Sequence, residues 1–121
     1  MQSMKDNGAI MDQAIVNYMK ENLGLDDMEL IHELYDEYVK TIKERLPSAS
    51  NALAEKDFQT LAKVAHAMKG CALNIGHESF AVIAKELEYL GKGMGPEPPS
   101  TENCSALLAK LNAILEEFLQ A

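Results

Sequence analysis

The chain lacks tryptophan, has only two cysteines, and contains no apolar run that approaches the length of a membrane span. A transmembrane helix needs about 20 consecutive apolar residues. The first residues, 1–8, are mostly polar and do not resemble a secretory signal peptide. We therefore expect a cytoplasmic protein that crosses no membrane, in which Cys71 and Cys104 are reduced packing residues rather than a disulfide.

Basic residues are also scarce. Eleven Lys and Arg stand against 19 Asp and Glu, which gives a net charge of -8 and a pI near 4.8. Because nucleic-acid binding needs clustered Lys and Arg, and no such cluster exists, we expect no nucleic-acid partner.

Several chemical motifs are missing as well. The chain has no Gly-rich phosphate loop, no kinase-type nucleotide motif and no acidic cluster for Mg²⁺. None of its three histidines is spaced i, i+4 from another, so the sequence offers no metal site on a helix face. We therefore expect no cofactor, no metal and no enzymatic activity of the chain's own.

What the sequence does have is helical periodicity. At 121 residues and 47% hydrophobic content, residues 1–121 are expected to form one domain. No stretch alternates apolar and polar residues as a strand does. The pattern predicts five helices: 9–22, about 27–55, one capped by Asp57 and ending at Gly76, 80 to about 90, and one starting at Ser100 or Thr101.

These helices predict an all-α fold, an up-down-up-down four-helix bundle with an additional N-terminal covering helix. Pro47 falls inside the second helix, where proline normally interrupts hydrogen bonding. We predict one long helix bent near residues 43–47, and the alternative is two helices with a short break. The Gly- and Pro-rich segment 91–99 is predicted to be a loop.

The third helix contains the stretch 65–76, which reads AHAMKGCALNIG. Its apolar positions recur with helical spacing and predict a core-facing stripe of Leu61, Val64, Ala65, Met68, Cys71, Ala72 and Ile75. At roughly 100° per residue, His66 points about 160° away from the centre of that stripe. His66 is therefore expected to face solvent, with Lys69 on the flank of the same face.

Gly70 lies one turn beyond His66, in the middle of this helix. A mid-helix glycine costs on the order of 1 kcal/mol relative to alanine, and nothing in the apolar pattern requires it. The physical explanation we favour is room beside the imidazole for a modified ring or for an approaching partner.

This stretch resembles the signature of histidine-containing phosphotransfer (HPt) domains, which usually reads A-H-x-L-K-G-x-x-x-N-L/I-G. The resemblance extends to residues 84–88 and more loosely from about 23 to 118. Two positions depart from the commonest pattern: Ala67, where Ser or Thr is frequent, and Cys71, where Ser, Gly or Ala is frequent. Neither departure touches the phosphoacceptor.

The resemblance implies a four-helix bundle in which His66 carries a phosphoryl group and Lys69 and Gly70 shape its surroundings. The implied partners are response-regulator receiver domains and a hybrid sensor histidine kinase. An exposed, neutral imidazole can attack a partner's acyl phosphate without a dedicated base. Lys69 and also Lys63 are expected to offset phosphoryl charge, and Ala62, Lys63, Ala67 and Leu73 are expected to contact the partner.

Two other functions remain open at this point. The chain could be the phosphoacceptor domain of a chemotaxis-type histidine kinase, or a non-phosphorylated adaptor bundle in which His66 is inert. His32 and His77 lack comparable neighbours and are read as structural or incidental. We expect a monomer, and the N-terminal Met1 with a complete bundle favours a free-standing carrier.

Overall fold

The structure is a computed structural model that describes residues 13–120, and these residues form helices joined by turns and loops, without a strand. The helices are α1 (Gln13–Asn22), α2 (Met28–Ala54), α3 (Phe58–Ile75), α4 (Glu78–Gly91) and α5 (Thr101–Gln120). The predicted all-α fold is confirmed. The predicted start of the first helix, at residues 9–12, lies outside the described residues.

Helices α2 to α5 close into a ring. α2 packs against α3, α3 against α4, α4 against α5, and α5 returns to α2. Because the connections at residues 55–57 and 76–77 are short, α2, α3 and α4 run antiparallel to their neighbours. α1 packs on α3 from outside the ring, so the predicted bundle with an additional N-terminal helix is confirmed.

The helix ends follow their capping residues. The Asp27 carboxylate accepts a hydrogen bond from the Glu29 amide at 2.9 Å, and Asp57 accepts one from the Thr60 amide at 3.1 Å. At the start of α5, the Ser100 hydroxyl accepts from the Asn103 amide while the Asn103 side chain accepts from the Ser100 amide. These caps lie where the sequence placed the starts of α2, α3 and α5, whereas α4 begins at Glu78, two residues before its predicted start and without a side-chain cap.

α2 continues without interruption through Pro47, which confirms one long helix and makes the alternative of two helices wrong. Proline inside a helix costs about 3 kcal/mol because it removes a backbone hydrogen bond and crowds the preceding turn. Leu46 and Ala49, on either side of Pro47, are buried in the core. Their packing in the core offsets part of this cost, and the bend near residues 43–47 stays a prediction.

The core contains most of the stripe predicted for α3. Leu61, Ala65, Met68, Ala72 and Ile75 are buried, and Val64 and Cys71 are partly buried against the same cluster. One end of the core is aromatic, because the buried His77 ring stacks on Phe118 at 4.2 Å and its Nδ1 lies 2.8 Å from the Tyr38 hydroxyl. His77 is therefore a core residue of the bundle.

Gly76 ends α3 and fixes the position of α1. Its φ is +80°, in the left-handed region, and a Cβ at this position would lie 2.5 Å from the ring of Tyr18. The Tyr18 hydroxyl in turn donates a hydrogen bond to the Leu73 carbonyl at 3.0 Å. α1 therefore covers the C-terminal end of α3 through a contact that only glycine permits.

Replacing Gly76 with alanine is expected to lower the free energy of unfolding by about 2 kcal/mol or more, because the side chain strains φ and displaces the Tyr18 ring. Gly70→Ala is the matched control. Nothing lies within 4 Å of a Cβ at Gly70, so this change is expected to raise stability by about 0.5–1 kcal/mol. Urea denaturation measures both, and equal stability of the two variants would contradict this account.

Candidate functional site

His66 lies in the middle of α3, on the side away from the buried stripe. Its side chain is 65% exposed, so the expectation that the imidazole faces solvent is met by the structure. The ring nevertheless has a firm anchor, because His66 Nδ1 lies 2.9 Å from an oxygen of Glu88 on α4.

Glu88 is the residue around which the site is built. It is only 2% exposed, and its carboxylate receives three hydrogen bonds, from His66 Nδ1 to Oε2 at 2.9 Å, from Lys69 Nζ to Oε1 at 2.9 Å, and from Lys92 Nζ to Oε2 at 2.8 Å. Burial alone raises the pKa of the Glu88 carboxyl. The hydrogen bonds from Lys92, Lys69 and His66 outweigh this effect and lower the pKa to about 2, so Glu88 is ionised at neutral pH.

An ionised carboxylate accepts hydrogen bonds and donates none. His66 Nδ1 must therefore carry the proton that it shares with Glu88 Oε2. In the neutral ring only one nitrogen is protonated, so Nε2 keeps its lone pair. The carboxylate thus fixes both the orientation and the tautomer of an exposed ring, and it leaves Nε2 as the nucleophilic atom.

Lys69 lies on the flank of the face that carries His66, and its side chain is 21% exposed. Its ammonium group donates to Glu88 Oε1, because α4 packs against this flank of α3 and brings a buried carboxylate within reach. Lys69 therefore helps to hold the Glu88 carboxylate in place. Its predicted role beside a phosphoryl group stays a prediction.

Sequence reasoning missed Glu88 and Lys92 as site residues. A signal for Glu88 was present, because it follows Ala84 by four residues and precedes Gly91 by three, which places a charged residue on the buried face of α4. A charge at a core position is rare unless it is paired. Lys92 gave no such signal, because its place beside His66 depends on how closely α3 and α4 approach each other.

That close approach also corrects the prediction for Ala62. Ala62 was expected to contact the partner, but it is only 3% exposed because Gly91 of α4 lies over it. A Cβ at Gly91 would lie 3.1 Å from Ala62 Cβ and 3.0 Å from the Phe58 carbonyl oxygen. The end of α4 therefore lies directly on α3, next to the turn that carries His66.

The other predicted contact residues lie on the surface. Lys63 and Gly70 are exposed, Ala67 is half-buried, and Leu73 is exposed although it is apolar. Beside His66 is a cavity of about 540 Å³, lined by Gln59, Ala62, Lys63, His66, Gly91 and Lys92. A second hollow of about 430 Å³ is lined by Lys69, Leu73, Glu78, Ala81, Val82 and Lys85.

Comparison with protein families assigns the chain. The family model described as Hpt domain matches residues 33–121, well over half of the sequence, from within α2 through α5. The chain belongs to the Hpt domain family. Hpt domains act in histidine phosphotransfer within phosphorelays, as phosphocarriers, and they interact with receiver domains and kinases. Comparisons with curated proteins and with solved structures gave no match.

Metal-binding clusters and membrane-spanning helices are both absent from residues 13–120 of this Hpt domain. Within residues 13–120, no group of His, Cys, Asp and Glu side chains is arranged to hold a metal ion. Over the same part of the chain, no helix combines the length and the apolar character that crossing a bilayer requires. Cys71 is half-buried, Cys104 is buried, and both are free thiols.

Replacing Glu88 with glutamine tests the buried carboxylate. Since the pKa of Glu88 is lowered from 4.5 to about 2, its contribution to stability is complete above about pH 4.5 and is lost as the pH falls towards 2. We expect Glu88→Gln to lower the free energy of unfolding at pH 7 by about 2–3 kcal/mol, with the difference from wild type shrinking below about pH 4.5.

Glu86→Gln is the matched control, because Glu86 is exposed on the same helix and outside the site. Its curve of unfolding free energy against pH should follow that of the wild type. Urea denaturation at a series of pH values measures all three proteins. A Glu88→Gln curve that runs parallel to the wild-type curve down to pH 2 would show that the carboxylate is not held ionised in the folded state.

Proposed function

We propose that residues 1–121 form one phosphotransfer domain in which His66 is the phosphoacceptor. In this proposal His66 takes a phosphoryl group from the aspartate of one receiver domain and passes it to another. The domain acts in the cytoplasm as a monomer, since one phosphoacceptor in each bundle suffices. The observation that carries the proposal is the hydrogen bond from His66 Nδ1 to Glu88 on a ring that is 65% exposed.

In the transfer step, the lone pair of His66 Nε2 attacks the phosphorus of a partner's aspartyl phosphate. The N–P bond forms as the acyl O–P bond breaks, and the aspartate leaves as a carboxylate. The ring gains positive charge during attack, and the Glu88 carboxylate beneath Nδ1 stabilises that charge. The receiver domain supplies the Mg²⁺ and the positioned aspartate.

The surface around His66 suits such a partner. Lys63 and Lys92 place positive charge beside the ring in a protein whose net charge is -8, and the aspartyl phosphate that the proposal requires is an anion. Exposed Leu73 and half-buried Ala67 offer apolar contact on the same helix, and the open position at Gly70 leaves room for close approach. Ala62 contributes to the wall of the cavity rather than to an exposed contact.

An inert adaptor bundle is less compatible with this geometry. A carboxylate that is 2% exposed and tied to an exposed imidazole and two ammonium groups is not needed to pack four helices. Apolar residues at such positions are often as stabilising as a buried ion pair. The arrangement is better explained by a requirement for an oriented ring.

The deciding experiment uses His66→Gln, with His32→Gln as the matched control because His32 lies on α2, away from the site. Each protein is incubated with Mg²⁺ and a purified receiver domain that has been phosphorylated by labelled acetyl phosphate, without ATP or a kinase. Wild type and His32→Gln should acquire an acid-labile label, and His66→Gln should show only the background of the assay.

Two outcomes would contradict the proposal. Equal labelling of His66→Gln would mean that His66 is not the phosphoacceptor. The wild type could instead be labelled by the ATP-binding domain of a histidine kinase and by no phosphorylated receiver domain. That result would favour the alternative that the chain is the phosphoacceptor domain of a chemotaxis-type kinase. A hybrid sensor kinase whose receiver domain charges this chain is the partner that the proposal requires.

A further inference from the structure

The site holds more positive than negative charge. Two ammonium groups, those of Lys69 and Lys92, share the single carboxylate of Glu88, and Lys63 lies on the wall of the same cavity as His66. A phosphoryl group carries a charge of about -1.5 to -2 near neutral pH. The two ammonium groups that share Glu88 therefore exceed its single negative charge before any phosphoryl group is bound.

Lys69 and Lys92 are not equivalent in position. Lys69 binds Oε1 of Glu88, is 21% exposed, and lines the hollow that contains Leu73 rather than the cavity that His66 lines. Lys92 binds Oε2, the same oxygen that accepts from His66 Nδ1, and it lines the cavity together with His66. Lys92, which is 47% exposed, is therefore the ammonium group on the histidine side of the carboxylate.

The backbone of Lys92 is held at the end of α4, while its side chain is half-exposed and can exchange one hydrogen-bond acceptor for another. Lys92 caps the C-terminus of α4, and its amide donates to the Glu88 carbonyl at 3.1 Å. Its side chain is 47% exposed whereas that of Lys69 is 21% exposed, so Lys92 is the ammonium group with more room to turn towards the cavity that it lines with His66. If the pair between Lys92 and Glu88 breaks, Glu88 keeps its hydrogen bonds from His66 and Lys69, so the buried charge stays compensated.

We propose that Lys92 is a phosphoryl-binding residue that moves from Glu88 to the phosphoryl oxygens when His66 is phosphorylated. This inference rests on the proposed role of His66 as the phosphoacceptor. Lys92 exchanges a hydrogen bond with one shared carboxylate for one with a more highly charged group. Its effect is to stabilise the phosphorylated form of this protein relative to the phosphorylated receiver domain. Lys92 thereby sets the fraction of this protein that is phosphorylated at equilibrium.

The test measures the equilibrium constant for phosphoryl transfer from one phosphorylated receiver domain to His66, for wild type, Lys92→Ala, Lys92→Arg and Lys110→Ala. The receiver domain is the same throughout, so the energy of its acyl phosphate cancels when each variant's equilibrium constant is divided by that of the wild type. Lys92→Ala is expected to lower the equilibrium constant about 3–10-fold, and Lys92→Arg, which keeps the charge, about twofold or less. The loss should shrink as salt is raised.

Lys110→Ala is the control for the loss of one positive charge, because Lys110 is exposed on α5, away from the site. It should match the wild type. An equilibrium constant unchanged in Lys92→Ala would overturn the inference, even if that variant were less stable to urea, because a structural role moves stability alone. Including His66→Gln separates the two hypotheses: a labelled His66→Gln contradicts the phosphoacceptor assignment itself, whatever Lys92 does.

Discussion

The hydrogen bond from His66 Nδ1 to the buried carboxylate of Glu88 is the contact on which the functional account depends. It joins α3 to α4 and turns an exposed side chain into one with a fixed direction. A free surface histidine would divide its proton between two ring nitrogens and rotate among several rotamers. Bound to Glu88, the ring presents Nε2 to solvent with little conformational entropy left to lose.

This hydrogen bond requires α3 and α4 to pack closely at the level of His66 and Glu88. Gly91 allows this, because its missing Cβ leaves space for Ala62 and for the Phe58 carbonyl. The caps at Asp57 and Gly76 then fix where α3 begins and ends along its neighbour. The bundle is thus a rigid support for one imidazole, and sites on regular helices are held more precisely than sites on loops.

Sequence reasoning succeeded wherever one helix decides its own geometry. The stripe of α3, the caps at Asp57 and Gly76, and the outward direction of His66 follow from helical periodicity and capping chemistry. It was wrong at Ala62, which lies on the outward flank of α3 by angle alone but is covered by α4. It also missed the carboxylate that Lys69 binds, because the pattern of α3 cannot reveal a residue of α4.

Glu88 shows a second limit of sequence reasoning, which is that a histidine–carboxylate pair has more than one functional meaning. A carboxylate paired with the imidazole would block phosphotransfer if it covered the whole ring, so the pairing of His66 with an acid is by itself ambiguous. In this protein Glu88, which is buried, contacts only Nδ1, and the side chain of His66 remains 65% exposed, which is the geometry of an oriented ring. Only the three-dimensional arrangement distinguishes a blocked histidine from an oriented one.

The most direct measurement of this claim is the tautomer of the His66 ring, read from its ¹⁵N chemical shifts by NMR in the unphosphorylated protein at about pH 8, where a free imidazole is neutral. The account predicts a protonated Nδ1 and an Nε2 with the shift of an unprotonated nitrogen. A proton found on Nε2 would contradict it, because the nitrogen facing solvent would then have no lone pair with which to accept a phosphoryl group.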